Sequence, residues 1–217
     1  ENYSMPKIPE FVEEKDIISG MYRYKEFGDG EIEVELLGSG PIMQQVLKAA
    51  EILEEKGISA RVWSVTSYGE LHREAAKLER LDRLSPQFED ISDEARFYPE
   101  GEFSPRVVWG KSWESRIVKC LGSTPKSERD PFLQPWHTVV CVAASDNIRA
   151  VPELIRPFIP IEKYIVLGTD GFGRSDTRSS LRRFFEVDAE HIALAAISGL
   201  CTKNHEYYSL FESTKKE

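Results

Sequence analysis

"EIEVELLGSGPIMQQVLKAAEILEEKG", residues 31–57, is the stretch on which the fold turns. Its first part alternates Ile32, Val34 and Leu36 with acidic neighbours, the period of two that a β-strand imposes on its faces. Gly38 and Gly40 punctuate it, Pro41 suits a first helical position, and Gly57 suits a stop. Between them Ile42, Val46, Leu47, Ala50 and Leu53 fall on one helical face. A strand followed at once by an amphipathic helix is the repeating unit of a parallel sheet.

The same alternation recurs in both directions. "ARVWSVTS" (60–67) reads as the next strand and "YGELHREAAKLERL" (68–81) as the next helix, with Leu71, Ala75, Leu78 and Leu81 inward. Further on come "HTVVCVAAS" (137–145, strand), "NIRAVPELIRPFIP" (147–160, helix ended by proline) and "YIVLG" (164–168, strand). Two helices close the series, "SDTRSSLRRFF" (175–185) and "DAEHIALAAISGL" (188–200), the latter capped by Asp188. The pattern predicts an α/β fold of three layers: a largely parallel open sheet with helices on both faces, its crossovers right-handed.

The ends and the middle depart from this rhythm. Residues 1–30 carry Pro6, Pro9 and scattered aromatics without a period, and read as an extended arm from a preceding domain. Residues 31–205 read as the α/β domain and 206–217 as a tail of little pattern. Within the domain, about 85–135 is an excursion rich in proline, serine and charge. Inside it "RVVWG" (106–110) suits a short strand and "WESRIVKCLG" (113–122) a short helix.

Composition narrows the function. The 217 residues are 41% hydrophobic, enough for a packed core, and carry a formal net charge of −9, which disfavours tracking a nucleic-acid backbone. No stretch approaches the roughly 20 apolar residues of a membrane helix. Cys120, Cys141 and Cys201 are an odd count without CxxC spacing and read as reduced thiols, hence a cytoplasmic protein. A chain opening on Glu1 rather than Met reads as a fragment or processed product.

Candidate chemistry is sparse. "LLGSGPIM" (36–43) resembles the start of a dinucleotide fingerprint, but Met43 stands where the third glycine belongs and no acid ends the following strand. His72, His137, His191 and His205 have no metal-ligand spacing, and no GxSxG elbow is present. His137 and Cys141 share one side of a strand, an arrangement more often core than catalytic. "SVTS" (64–67) and "SDN" (145–147) end strands, where an α/β sheet gathers ligands and where helices also want caps.

The densest patch is "LGTDGFGRSD" (167–176). Its glycines at 168, 171 and 173, with Arg174 and a helix start behind them, would suit a phosphate cradle; Asp170 and Asp176 would repel one. The residue types favour a structural or interface turn made of Thr169, Asp170, Gly171, Phe172, Gly173, Arg174, Ser175 and Asp176.

With its flanks, "VLGTDGFGRSDTRSSLRRFFEVDAEHIALAA" resembles the carboxy-terminal, transketolase C-terminal-like domain of the homodimeric, thiamine-diphosphate-dependent pyruvate dehydrogenase component. "VELLGSGPIMQQVLKAAEIL", "VWSVTSYGELHREAAKLERL" and "AASDNIRAVPELIRPFIP" are similar to the same domain in the same order, and "ENYSMPKIPEFVEEKDIISGMYRY" to the segment leading into it. The family's thiamine signature, a GDG continued by an asparagine pair, is not matched, because "GDG" at 28–30 runs straight into a strand. Much of 85–135 looks like an insertion against the family's shorter connection.

The resemblance implies a domain that assembles with others and carries no catalytic, cofactor or metal residue. Thiamine diphosphate and Mg2+ would belong to the parent enzyme, which decarboxylates pyruvate oxidatively and passes acetyl to a lipoyl carrier. The implied partners are the amino-terminal and middle domains, the homodimer partner and the lipoyl acetyltransferase, with no nucleic acid and no membrane. Asp170 and Arg174 are the expected ion-pair participants. Two other organisations fit the residues: one subunit of a split thiamine-dependent enzyme, or a stand-alone ligand-binding or regulatory module.

Overall fold

In the computed structural model, residues 6–84, 115–121, 140–161, 163–202, 205 and 207–215 are described. Their strands are β1 (Met21–Phe27), β2 (Val34–Gly38), β3 (Ala60–Val65), β4 (Val140–Ala144) and β5 (Lys163–Leu167). They form one sheet in the order β1-β3-β2-β4-β5. β2, β3, β4 and β5 are parallel, whereas β1 runs antiparallel against β3 with a register shift between Arg23 and Lys25.

The helices are α1 (Glu14–Ile18), α2 (Met43–Glu55), α3 (Tyr68–Leu84), α4 (Arg116–Leu121), α5 (Ala150–Glu153), α6 (Arg178–Phe184), α7 (Ala189–Cys201) and α8 (Tyr207–Thr214). One core lies where Val46, Ala50 and Leu53 of α2 and Ile192, Ala196 and Ile197 of α7 meet Leu36, Val62 and Val142. The other lies where Leu71 and Ala75 of α3 and Ile117 of α4 meet Leu37, Trp63, Ala143 and Val166. Helices therefore cover both faces, giving the three layers expected. Gly199 permits close docking of α7 on β4: a Cβ there would stand 2.6 Å from Val140 Cγ1.

Three local readings are corrected. The second half of the presumed arm is the edge strand β1; its alternation is blurred because only Met21, Tyr22 and Phe27 are buried. The presumed helix 147–160 is broken, with α5 and a 3-10 turn at Arg156–Phe158, as Pro152 and Pro157 cannot both sustain one helix. The tail is not patternless, since Leu210 and Phe211 of α8 pack on the α2–α7 core. In the excursion, Arg116–Leu121 is helical as expected; "RVVWG" lies outside the described residues.

Strand register also produces a row that alternation does not reveal. Glu26, Arg61, Glu35, Cys141 and Tyr164 stand side by side across all five strands. Glu35 is wholly buried, although its acidic neighbours suggest a solvated face. A central strand has no solvated face, so the carboxylate must find partners.

Candidate functional site

The order β3-β2-β4 places the reversal of strand order between the parallel β2 and β4, the point where open α/β sheets form a crevice at their carboxyl ends. Here the site's glycines serve packing. A Cβ on Gly38 would press on Met43 Sδ at 2.9 Å and Val46 Cγ2 at 3.0 Å, and Gly40 has φ +52°. Ser39 Oγ donates to Ser145 Oγ at 2.9 Å, and Ser145 Oγ accepts the Asn147 N–H at 3.1 Å. The Asp146 carboxylate lies over the Gly40 turn, 3.5 Å from where a Cβ would stand. It therefore puts negative charge where a phosphate would need to sit.

The loop after β5 is tied to the loop after β4. Thr169 N–H donates to Asn147 O at 2.9 Å, and Thr169 Oγ1–H to Asp146 O at 2.6 Å. Gly168 is obligatory, because a Cβ would fall 2.7 Å from Asn147 O and 2.9 Å from Arg149 N. Asp170 accepts Arg149 N–H and Nε–H at 2.8 and 2.5 Å, which holds its carboxyl below the usual range, the backbone hydrogen bond being the largest cause. Gly171, at φ +94°, reverses the chain. Asp176 accepts the Thr177 N–H at 2.6 Å, and Thr177 caps α6 through Ser180 N–H at 3.3 Å.

The expected ion pair is thus half found: Asp170 pairs within the domain, with Arg149, which the sequence offers no periodic signal to single out. Arg174 instead stacks its guanidinium 4.0 Å from the Phe184 ring centroid. Phe172 is 96% exposed and Phe184 54% exposed, so this loop presents aromatic and cationic surface. Gly173 and Ser175 are exposed as well.

The remaining candidates resolve as structure. Asp188 caps α7 through the His191 N–H at 3.0 Å, and its carboxylate also meets His191 Nδ1 at 2.5 Å. His72 packs edge-on against Phe158. Cys141 is buried in the core, and none of the three cysteines forms a disulfide. His137 lies outside the described residues.

In the GDG turn at 28–30, the glycine N–H groups that a diphosphate would need are already used. The GDG turn is consumed by the fold: Gly28 N–H donates to Glu54 Oε1 at 2.8 Å, and Gly30 N–H to Ser59 Oγ at 3.0 Å. A Cβ on Gly28 would collide with Ser59 Oγ at 2.6 Å. Among the described residues no group of three His, Cys, Asp or Glu could hold a metal ion, and no helix is long and apolar enough to cross a membrane.

A three-layer α/β domain with one antiparallel edge strand defines the class. The chain belongs to the transketolase-like TK C-terminal domain family, whose model matches residues 20–188. It is 39% identical over 203 residues to the pyruvate dehydrogenase E1 component of Cupriavidus necator, and 38% over 205 to that of Pseudomonas aeruginosa. These alignments take in 92% and 94% of this chain but 18% and 19% of the relatives. The chain thus spans about a fifth of their length. A solved transketolase of Pichia stipitis, 14% identical with a TM-score of 0.49, covers 93% of this chain and 21% of that one.

Proposed function

We propose that this chain is the carboxy-terminal assembly domain of a pyruvate dehydrogenase decarboxylating subunit. The single observation that carries this reading is identity of 35–39% to E1 components along 92–94% of the chain. The parent reaction is the oxidative decarboxylation of pyruvate with acetyl transfer to a lipoyl carrier, in the cytoplasm. Thiamine diphosphate, with Mg2+, supplies the electron sink for that reaction when bound by the rest of the enzyme.

This chain's own residues orient and join. The domain starts at the edge strand β1, and the segment before it leads in from the preceding domains. Asp170 and Thr169 fix the loop, while Phe172 and Arg174 meet the amino-terminal and middle domains or the homodimer partner. The lipoyl acetyltransferase joins through the assembled enzyme. The exposed Phe172 and the Arg174–Phe184 stack support this, because aromatic and arginine side chains dominate contact energy at interfaces.

The test is Arg174→Ala in the full-length parent. Weakened assembly with an unchanged KM for pyruvate is expected; intact assembly with a sharply raised KM would make the loop a substrate site. Calorimetry on the 217-residue chain should give no heat of thiamine diphosphate binding with Mg2+, and tight binding would overturn the assembly role.

A further inference from the structure

The loop after β5 and helix α6 form a surface that this chain leaves uncovered. Phe172 and Phe184 stand out from it, and α6 has no buried residue. Arg174, Arg178 and Arg183 are exposed and Arg182 is half-buried, with no acid between Asp176 and Glu186. Among the described residues Arg174, Arg182 and Arg183 form no ion pair, and Asp176 is taken by the Thr177 N–H. A formal net charge of −9 that includes these four cations leaves −13 on the rest of the chain. Aromatic and arginine side chains set in this way are the usual anchors of a protein contact.

A surface of opposite charge lies on the segment before β1. Ile8, Phe11 and Ile18 are 54%, 59% and 67% exposed. Residues 7–18 carry Glu10, Glu13, Glu14 and Asp16 against Lys7 and Lys15. Asp16 is held by Arg116 at 2.8 Å and Glu13 by Lys15 at 2.6 Å. Glu10 and Glu14 are exposed and have no cationic partner among the described residues.

Both surfaces lie at the carboxyl end of the parallel strands. Thr66, just after β3, donates its Oγ1–H to Ile17 O at 2.6 Å and its N–H to Gly20 O at 2.9 Å. The loop from Gly168 leaves the same end of β5. They belong to opposite edges, because β1 and β5 bound the sheet four strand spacings apart, roughly 19 Å. Side chains of one copy cannot bridge that span. A two-fold axis normal to the sheet at its carboxyl end turns one edge onto the other. Each loop then lands on the segment before β1 of the other copy, so both contacts form twice and the pair closes.

We propose that the loop 168–176 and α6 dock residues 8–18 of a second copy of this chain, reciprocally about that axis. The aromatic rings meet Phe11 and Ile18, and the guanidinium groups meet Glu10 and Glu14. This contact rests on the interface role of the loop and supplies its occupant.

Sedimentation equilibrium of the 217-residue chain should show a concentration-dependent dimer. Arg174→Glu with Arg183→Glu, and Glu10→Lys with Glu14→Lys, each change two exposed charges and should raise the dissociation constant about tenfold or more. Mixed in equal amounts, the two variants should dimerise again, because each altered α6 then faces an altered segment. In wild type, amide shifts on dilution should cluster at 8–18 and 169–184, which decides the matter should either variant fold poorly. A wild-type chain monomeric up to about 1 mM, a mixture no tighter than its components, or dilution shifts elsewhere would each overturn the contact. If the chain stays monomeric while Arg174→Ala still weakens assembly of the full-length parent, the loop serves another domain and only this occupant falls. If both fail, the assembly role falls with it.

Discussion

Asp170 holds Arg149 at two points, accepting its backbone N–H at 2.8 Å and its Nε–H at 2.5 Å. The start of α5 has no capping side chain of its own, so the cap arrives from 21 residues later in the chain. The pairing lowers the Asp170 pKa. Its stabilisation is present above the unfolded carboxylate value and is lost as pH falls through the lower folded one. Asp170→Ala should speed amide exchange at Arg149 and Thr169 and remove that acid-limb dependence. The change in Tm should be small, as both side chains are exposed. Unaltered exchange would mean the contact does not order the loop.

Phe172 buries almost nothing in this chain, being 96% exposed. Phe172→Ser should leave the unfolding free energy of the 217-residue chain within about 0.5 kcal/mol of wild type. In the proposed parent enzyme it should weaken the self-association measured by sedimentation, if the loop is an interface as proposed. Loss of stability in the isolated chain would place Phe172 in a core rather than an interface.

Glu35 sets an unusual pH dependence. Its folded pKa, about 7, lies above the ordinary 4.5, so the native state binds the proton more tightly than the unfolded chain. That contribution is fully present below about 4.5 and disappears as pH rises through about 7. Its size is on the order of 3 kcal/mol. Urea unfolding at pH 5 and 8.5 should show this decline in wild type and lose it in Glu35→Gln.

Gly199 lies against Val140, where a Cβ would come within 2.6 Å of a branched, buried side chain. Gly199→Ala should therefore cost about 1–3 kcal/mol, because α7 must lift from β4. Helix propensity favours alanine by about 1 kcal/mol, and packing is expected to win. A stabilised variant in chemical denaturation would show that α7 shifts freely.

The thiols should react in order of access. Cys141 is fully buried and its pKa is pushed up by burial, whereas Cys201 is only partly buried. A thiol reagent should modify Cys201 before Cys141, which should stay protected until unfolding. Early labelling at Cys141, located by peptide mapping, would contradict the core position.

Legibility in the sequence followed periodicity. Val46, Ala50 and Leu53, and Leu71 and Ala75, lie on the faces their spacing assigns, because each helix presents one stripe to a sheet. Asp188 was readable as a cap from chemistry alone, whereas Thr177 emerged as the cap of α6 only in the structure. β1 was not readable, since an edge strand with little burial writes a weak alternation. The loop's composition marked residues 169–176, but Arg149 and Phe184 emerged as its partners only through tertiary contact.

The sequence alone determined the α/β alternation, the parallel sheet, the helix caps and the family, because these rest on local periodicity and on words that persist along the chain. Tertiary structure decided the fate of its charges. Asp170 pairs with Arg149 from the neighbouring loop. Glu35, acidic in an alternating strand, was buried beside Arg61. Both outcomes depend on which strands become neighbours and in what register, a long-range choice that no local pattern encodes.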